Sequence, residues 1–249
     1  MTSLTVNADP VLEGSRKILV RPMADESKAR YYDWVESRRE YVRRNGGPNL
    51  RYIHMPDMSN NGLIEFAKRY YPNLDKDGMI YDDRFNTGGS VSSMLVLQMA
   101  RKPITWFKPR YGASWTRQSW AFAGYSVALV NENSSSNGEE FPDIFQREKL
   151  GPVIGVRTWG GEVGSGGGYR LIDGGRLNIP NYANWADGKW IIEGTGVTPD
   201  IRVEQDPTAV LEGRDPQLDR AIAYLKEQIA ARPVPRPSPP PFPVKVKRD

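Results

Sequence analysis

Residues 79–97, MIYDDRFNTGGSVSSMLVL, and residues 126–145, SVALVNENSSSNGEEFPDIF, decide the fold class. Each reads as an apolar strand, a turn of small and polar residues, and then a helix. Alternating strand and helix units argue for α/β layers. In such layers the turn after each strand lies at the carboxyl end of the sheet, where ligands usually bind. The first N–H groups of the following helix have no intrahelical partner and carry positive partial charge.

Outward from these two stretches, the same alternation continues. Residues 4–6 and 17–20 read as two short strands joined by a polar turn. A helix is predicted over about 26–45, with Tyr31, Trp34, Val35, Tyr41 and Val42 on one face and Gly46-Gly47 stopping it. Short strands are predicted at 51–55, 78–81, 125–130 and 153–157, and helices at 62–71, 91–100 and about 139–149. A glycine-rich run, TWGGEVGSGGG, opens a β-rich section that extends to Trp190. The last helix starts at Asp215-Pro216, a capping residue followed by proline at the first helical position. Leu218, Ile222, Leu225 and Ile229 form its buried stripe.

Composition narrows the chemistry. The chain has 249 residues, no cysteine and one histidine, His54. That excludes disulfides, a thiol nucleophile and thiolate metal sites. No clustered spacing of metal ligands is visible, so no metal or cofactor is expected. No apolar run approaches the roughly 20 residues of a membrane span, and the start does not read as a signal peptide. Residues 231–249 hold five Lys/Arg and one Asp, the whole of the net charge of +4. The remainder is near neutral and offers no basic footprint for nucleic acid. This tail, rich in proline, is expected to stay solvated in polyproline II or disordered form, with an SH3-type ligand role as the lesser alternative.

Two features can carry chemistry. The Gly88-Gly89 pair is either a tight turn needing positive φ or a bare backbone whose N–H meets a substrate carbonyl. The run Ser134-Ser135-Ser136 is either a helix cap or holds a nucleophile exposed at a strand-to-helix turn, as in nucleophile elbows. A serine nucleophile needs a base. His54 ends a strand before Pro56, and no lysine is placed with the serine turn.

The segments YIHMPDM, DDRFNTGGS, NENSSSNGEEFP, GVRTWGG and EGTGVTPDI, in this order, resemble the core domain of tricorn-type serine proteases of the tail-specific (carboxyl-terminal processing) peptidase family. The resemblance covers about residues 22–230. It implies a ClpP/crotonase-like α/β core of stacked ββα units over 23–230. Residues 1–22 resemble the end of the family's PDZ domain, a partial PDZ-like hairpin, and 231–249 form the tail. Carried over, Ser136 matches the nucleophile and Gly89, beside Gly88, the oxyanion glycine. Asn137 stands where the family usually has aspartate, and its N–H completes the oxyanion hole. Glu193 matches the glutamate of the charge relay. Thr87 replaces a glycine of the first turn.

The family's general-base histidine precedes the PDZ domain, so the resemblance places it outside this chain, with His54 structural. Near Phe107 the family's acid for basic P1 residues has no counterpart. The resemblance further implies peptide substrates, endopeptidase or oligopeptidase action, a homo-oligomer in the full-length form and a cytoplasmic location, with no nucleic acid, membrane, cofactor or metal. A non-catalytic peptide-binding module of the same fold is the alternative; a crotonase-like acyl-CoA enzyme is more distant.

Overall fold

The computed structural model describes residues 1–116, 120–164 and 167–245. Two compact units divide the chain, Met1–Arg38 and Arg39–Asp249. The first contains the antiparallel hairpin of β1 (Thr2–Val6) and β2 (Arg16–Val20), in register from Thr2↔Val20 to Val6↔Arg16. It also takes the first half of α1 (Ser27–Gly46). The division between the two units thus falls within a continuous helix.

The second unit is built on β3 (Leu50–His54), α2 (Asn60–Tyr70), β4 (Gly78–Asp82) and α3 (Ser92–Met99). A small ribbon of β5 (Trp106–Phe107) and β6 (Trp115–Thr116) precedes β7 (Tyr125–Val130), α4 (Asn137–Arg147) and β8 (Val153–Gly155). The expected β-rich section consists of two short hairpins, β9 (Gly168–Arg170) with β10 (Arg176–Asn178), and β11 (Trp185–Ala186) with β12 (Lys189–Trp190). Then come β13 (Ile201–Arg202), α5 (Pro207–Leu211) and α6 (Pro216–Ala231). The central sheet is five-stranded and parallel, in the order β13-β8-β7-β4-β3. This is the mixed α/β fold with a central parallel sheet that the alternation of strands and helices implies.

Both faces of the sheet are covered, which is why β4 and β7 read as continuous apolar runs. Ile53, Met79, Tyr81, Ala128 and Val130 share one core with Phe66, Leu95 and Phe141 from α2, α3 and α4. Tyr52, Ile80, Val127 and Leu129 alternate with them and face the other way. On that side α6 packs on β4, β7 and β8 with Leu218, Ala221 and Leu225 buried.

Two boundaries differ from expectation for local reasons. The strand at 153 ends at Gly155, whose φ is +139° and where a Cβ would lie 1.9 Å from the Val130 carbonyl oxygen. The helix expected from about 139 begins at Asn137, directly after Ser136. The tail also departs from a solvated segment over its first residues. Val234 is buried, Tyr125 donates its hydroxyl to the Arg232 carbonyl at 2.7 Å, and Arg236 pairs with Asp77 at 2.6 Å.

A buried ionic network closes the carboxyl edge of the sheet over α6. Arg84 donates to both carboxylate oxygens of Asp82, at 2.9 and 2.6 Å, and to Asp215 at 3.0 and 3.2 Å. Tyr52 donates to Asp82 at 2.7 Å. Asp215 also caps α6 by accepting from the Leu218 N–H. Arg84 is 3% exposed, so its removal leaves two carboxylates unpaired in the interior. Arg84→Ala is expected to cost about 3–5 kcal/mol of stability, as for other broken buried pairs, read from the midpoint shift in urea denaturation.

Candidate active site at the carboxyl edge of the sheet

The site is where the turns after β4 and β7 meet. Because these strands are adjacent and parallel, with Asp82 opposite Leu129, both turns leave the same edge. They are knitted together at once. The Asp83 N–H donates to the Leu129 carbonyl, the Phe85 N–H to Asn131 Oδ1, and the Ser135 N–H to the Asn86 carbonyl.

The three serines are not equivalent. Ser134 is fully buried and donates its hydroxyl to the Asp83 carbonyl at 2.8 Å. Ser135 donates to the Asn86 carbonyl at 3.2 Å. Ser136 is half-buried, and its Oγ donates to no acceptor among the described residues. Its backbone has φ 53° and ψ −131°, strained for a residue with a Cβ and costing about 1–3 kcal/mol. Ser136 is also the N-cap of α4, so the capping and nucleophile readings of the run fall on one residue.

Each glycine of the pair has its own task. Gly88, at φ +84°, passes directly beneath the serine: a Cβ there would stand 2.7 Å from Ser136 Cβ and 3.1 Å from its Oγ. The Gly88 N–H is already given to Asn86 Oδ1. Gly89 bridges to Met58, and a Cβ would meet the Met58 carbonyl oxygen at 2.0 Å. Among the described residues the Gly89 N–H and the Asn137 N–H have no acceptor. One open donor therefore lies on each turn, Gly89 directly after the glycine packed against Ser136 and Asn137 directly after Ser136 itself.

Sequence reading missed the residue that holds this turn in place. The Glu139 carboxylate is fully buried and accepts the Ser136 N–H at 3.2 Å, the Thr158 hydroxyl at 2.5 Å and the Gly160 and Gly161 N–H groups at 2.6 and 2.9 Å. The next two N–H groups of that loop, Glu162 and Val163, donate to Glu193 Oε2 at 2.8 and 2.7 Å. Glu193 is thus brought to the same loop, linked to Ser136 through Glu139. Its Oε1 accepts no hydrogen bond among the described residues, and the residue is exposed. The spacing of Glu139 three residues after Ser136 is a capping-box signal and was the available clue.

His54 belongs to a different environment. It is 4% exposed, and its Nε2 lies 3.0 Å from the Arg84 carbonyl. A carbonyl only accepts, so Nε2 carries the ring proton there. Burial lowers its pKa and keeps the ring neutral, although the nearby Asp82 charge works the other way.

Acids gather behind the turn. Glu140 accepts from Ser92, Asn137 and Asn184. Glu162 is pushed up to about 9, first by burial, then by its hydrogen bond to Glu140 and by the charges of Glu140, Glu139 and Glu193. It therefore holds its proton at neutral pH. Asp83, fully buried with neither carboxyl oxygen hydrogen-bonded among the described residues, is raised mainly by desolvation, then by Asp82 and Glu139.

The sequence profile of Peptidase family S41 matches residues 49–203. The chain belongs to this family. It is similar to tricorn protease homolog 1 of Streptomyces coelicolor, 39% identical over 223 residues, which make up 89% of this chain and 21% of the relative. It is also similar to the tricorn protease of Thermoplasma acidophilum, 38% identical over 86% of this chain and 20% of the relative. A crystal structure of the tricorn protease superposes with a TM-score of 0.80 at 37% identity, over 87% of this chain and 21% of that one. The chain thus spans about a fifth of the length of these relatives. A mutant of CPAF, 12% identical, shares the fold, with a TM-score of 0.57 over 73% of this chain and 51% of that one.

Two substitutions test the packing and charge of the site. Gly88→Ala adds a methyl against Ser136, whereas Gly213→Ala, at φ +81°, meets nothing within 4 Å. Both pay for positive φ, so Gly88→Ala is expected to be the more destabilising by about 1–3 kcal/mol in urea unfolding. Glu162→Gln removes a group whose folded pKa is raised. Such a group disfavours the folded state increasingly as pH rises from the usual carboxylate range toward about 9. The melting temperature gained by Glu162→Gln is therefore expected to grow between about pH 5 and pH 8, by about 2–4 °C for each kcal/mol recovered. Melting curves at both pH values read it.

Proposed function

We propose that this chain is the core of a serine peptidase that cleaves peptide bonds through an acyl-enzyme. The observation that carries the reading is Ser136, held at positive φ against Gly88 between the open N–H groups of Gly89 and Asn137. Membership of Peptidase family S41 supports it.

In this mechanism a histidine from outside the chain takes the Ser136 proton. Oγ attacks the scissile carbonyl, and the carbonyl oxygen becomes an oxyanion held by Gly89 and Asn137. Each such donor is typically worth about 2.7–4 kcal/mol in the transition state. Collapse expels the amine, which takes the proton from the histidine, and water then releases the acyl group by the same path. Glu193, through its open Oε1, orients the histidine. The N–H is the working group at Asn137, so asparagine in place of aspartate leaves this function intact. The outside origin of the base is supported by His54, the single histidine of the sequence, whose Nε2 is bonded to Arg84.

The finer reading is an endopeptidase or oligopeptidase acting on peptides already shortened by other proteases. It works in a cytoplasmic homo-oligomer, without a strong demand for basic P1 residues, on a ClpP/crotonase-like core preceded by a PDZ-like domain that ends in the β1–β2 hairpin.

The test pairs peptide turnover with active-site labelling. The 249-residue chain alone is expected to hydrolyse a fluorogenic peptide library about 10⁴- to 10⁶-fold more slowly than a form supplied with the base, the usual cost of a missing triad member. In the full-length protein a fluorophosphonate is expected to label Ser136. Labelling at Ser134 or Ser135 overturns the nucleophile assignment. Robust turnover by the chain that disappears in His54→Ala overturns the external base. A full-length protein that binds peptides without labelling or turnover supports the non-catalytic binding module instead.

A further inference from the structure

At the opposite, amino edge of the sheet lies an aromatic trough unconnected with the serine site. Tyr71, Trp106, Trp115 and Trp120 line one cleft of about 480 Å³. Met99, Pro103, Trp106 and Phe122 line a second of about 900 Å³. Pro235, Arg236 and Pro237 of the chain's own tail line both, so the tail runs between the two clefts. Phe107 stacks on Trp115 at 5.7 Å, and Tyr71 meets Trp120 edge-on at 6.0 Å, giving the walls a rigid aromatic frame.

The tail is gripped at few points. The Arg232 carbonyl accepts from the Tyr125 hydroxyl, and Val234 is buried. The Arg236 guanidinium donates to the Asp75 carbonyl and to Asp77 Oδ1, both at 2.6 Å. Asp77 is itself held by Asn49, which donates to its other oxygen at 2.7 Å. Between these grips the tail residues are exposed, and open clefts remain on either side. A segment integral to the core would be packed without such voids. Prolines at 233, 235 and 237 fix φ and favour an extended polyproline II course. Docking of such segments in aromatic-lined grooves is a recurring mode, because little conformational entropy remains to be lost.

We propose that this trough is a binding site for an arginine-bearing polyproline II segment, filled in cis by residues 232–237 of this chain. Val234 and Arg236 are its two anchors, one by its buried side chain and one on the Asp77 carboxylate. The site is independent of Ser136 chemistry and needs no turnover.

The test uses the whole chain with its tail released by Val234→Asp and Arg236→Glu, and a fluorescent peptide of the sequence of residues 231–242. Anisotropy is expected to show the peptide bound by the released chain. The unaltered chain is expected to bind it at least about tenfold more weakly, since a tethered segment competes at an effective concentration on the order of millimolar. A peptide carrying Arg236→Ala is expected to lose at least about tenfold in affinity for the released chain, comparable to one charge-assisted hydrogen-bonded contact. Equal binding to both chains, no binding to either, or indifference to the arginine overturns the proposal.

Discussion

The parallel pairing of β4 with β7 is the constraint on which the rest depends. With Gly78 opposite Tyr125 and Asp82 opposite Leu129, the two strands end at the same height. The turns that follow are then close enough for Ser134 and Ser135 to donate to carbonyls of the first turn. They are also close enough for the Gly88 backbone to pass beneath Ser136. Side chains alternate sides along a strand, so a one-residue slip would turn the buried faces of both strands outward. The hydrophobic core on either face therefore fixes the register, and the register fixes the site.

Around this edge, negative charge is managed in two ways. Arg84 neutralises Asp82 and Asp215 with a planar fork of donors and ties the sheet to the start of α6. Nearer Ser136 no cation among the described residues takes that role for Glu139, whose carboxylate is satisfied by four N–H and O–H donors. Glu162 instead keeps its proton. Burial beside other acids favours the neutral form of Glu162. Glu139 consequently joins the serine turn to the loop at 158–161, and Glu193 takes up the same loop one residue later. Strain at Ser136 persists because structure on every side over-determines it.

The amino edge of the sheet shows a different economy. The tail's composition, proline-rich and basic, is that of a segment unable to form a core. It nonetheless meets exposed aromatic rings and an acidic side chain, and a few anchors suffice because proline has already removed much of its freedom.

The sequence by itself determined the elements and the turns. YSVALV has the burial of an interior parallel strand, and the structure places β7 over the same residues, Tyr125–Val130. Asp215-Pro216 starts the last helix where capping chemistry requires it. These are local matters, set by side-chain periodicity and the dihedrals that proline, glycine and small polar residues favour. Only the tertiary structure decided which groups those turns leave open. Both glycines of the pair sit at positive φ, and the fold separates their N–H groups: Gly88 gives its N–H to Asn86, while Gly89 donates to no acceptor among the described residues. The clamp of Arg84 on Asp215 and the seating of Arg236 on Asp77 join residues remote in sequence. Such pairings leave no periodic signature, because they arise from the packing of whole elements and not from the conformational preferences of neighbours along the chain.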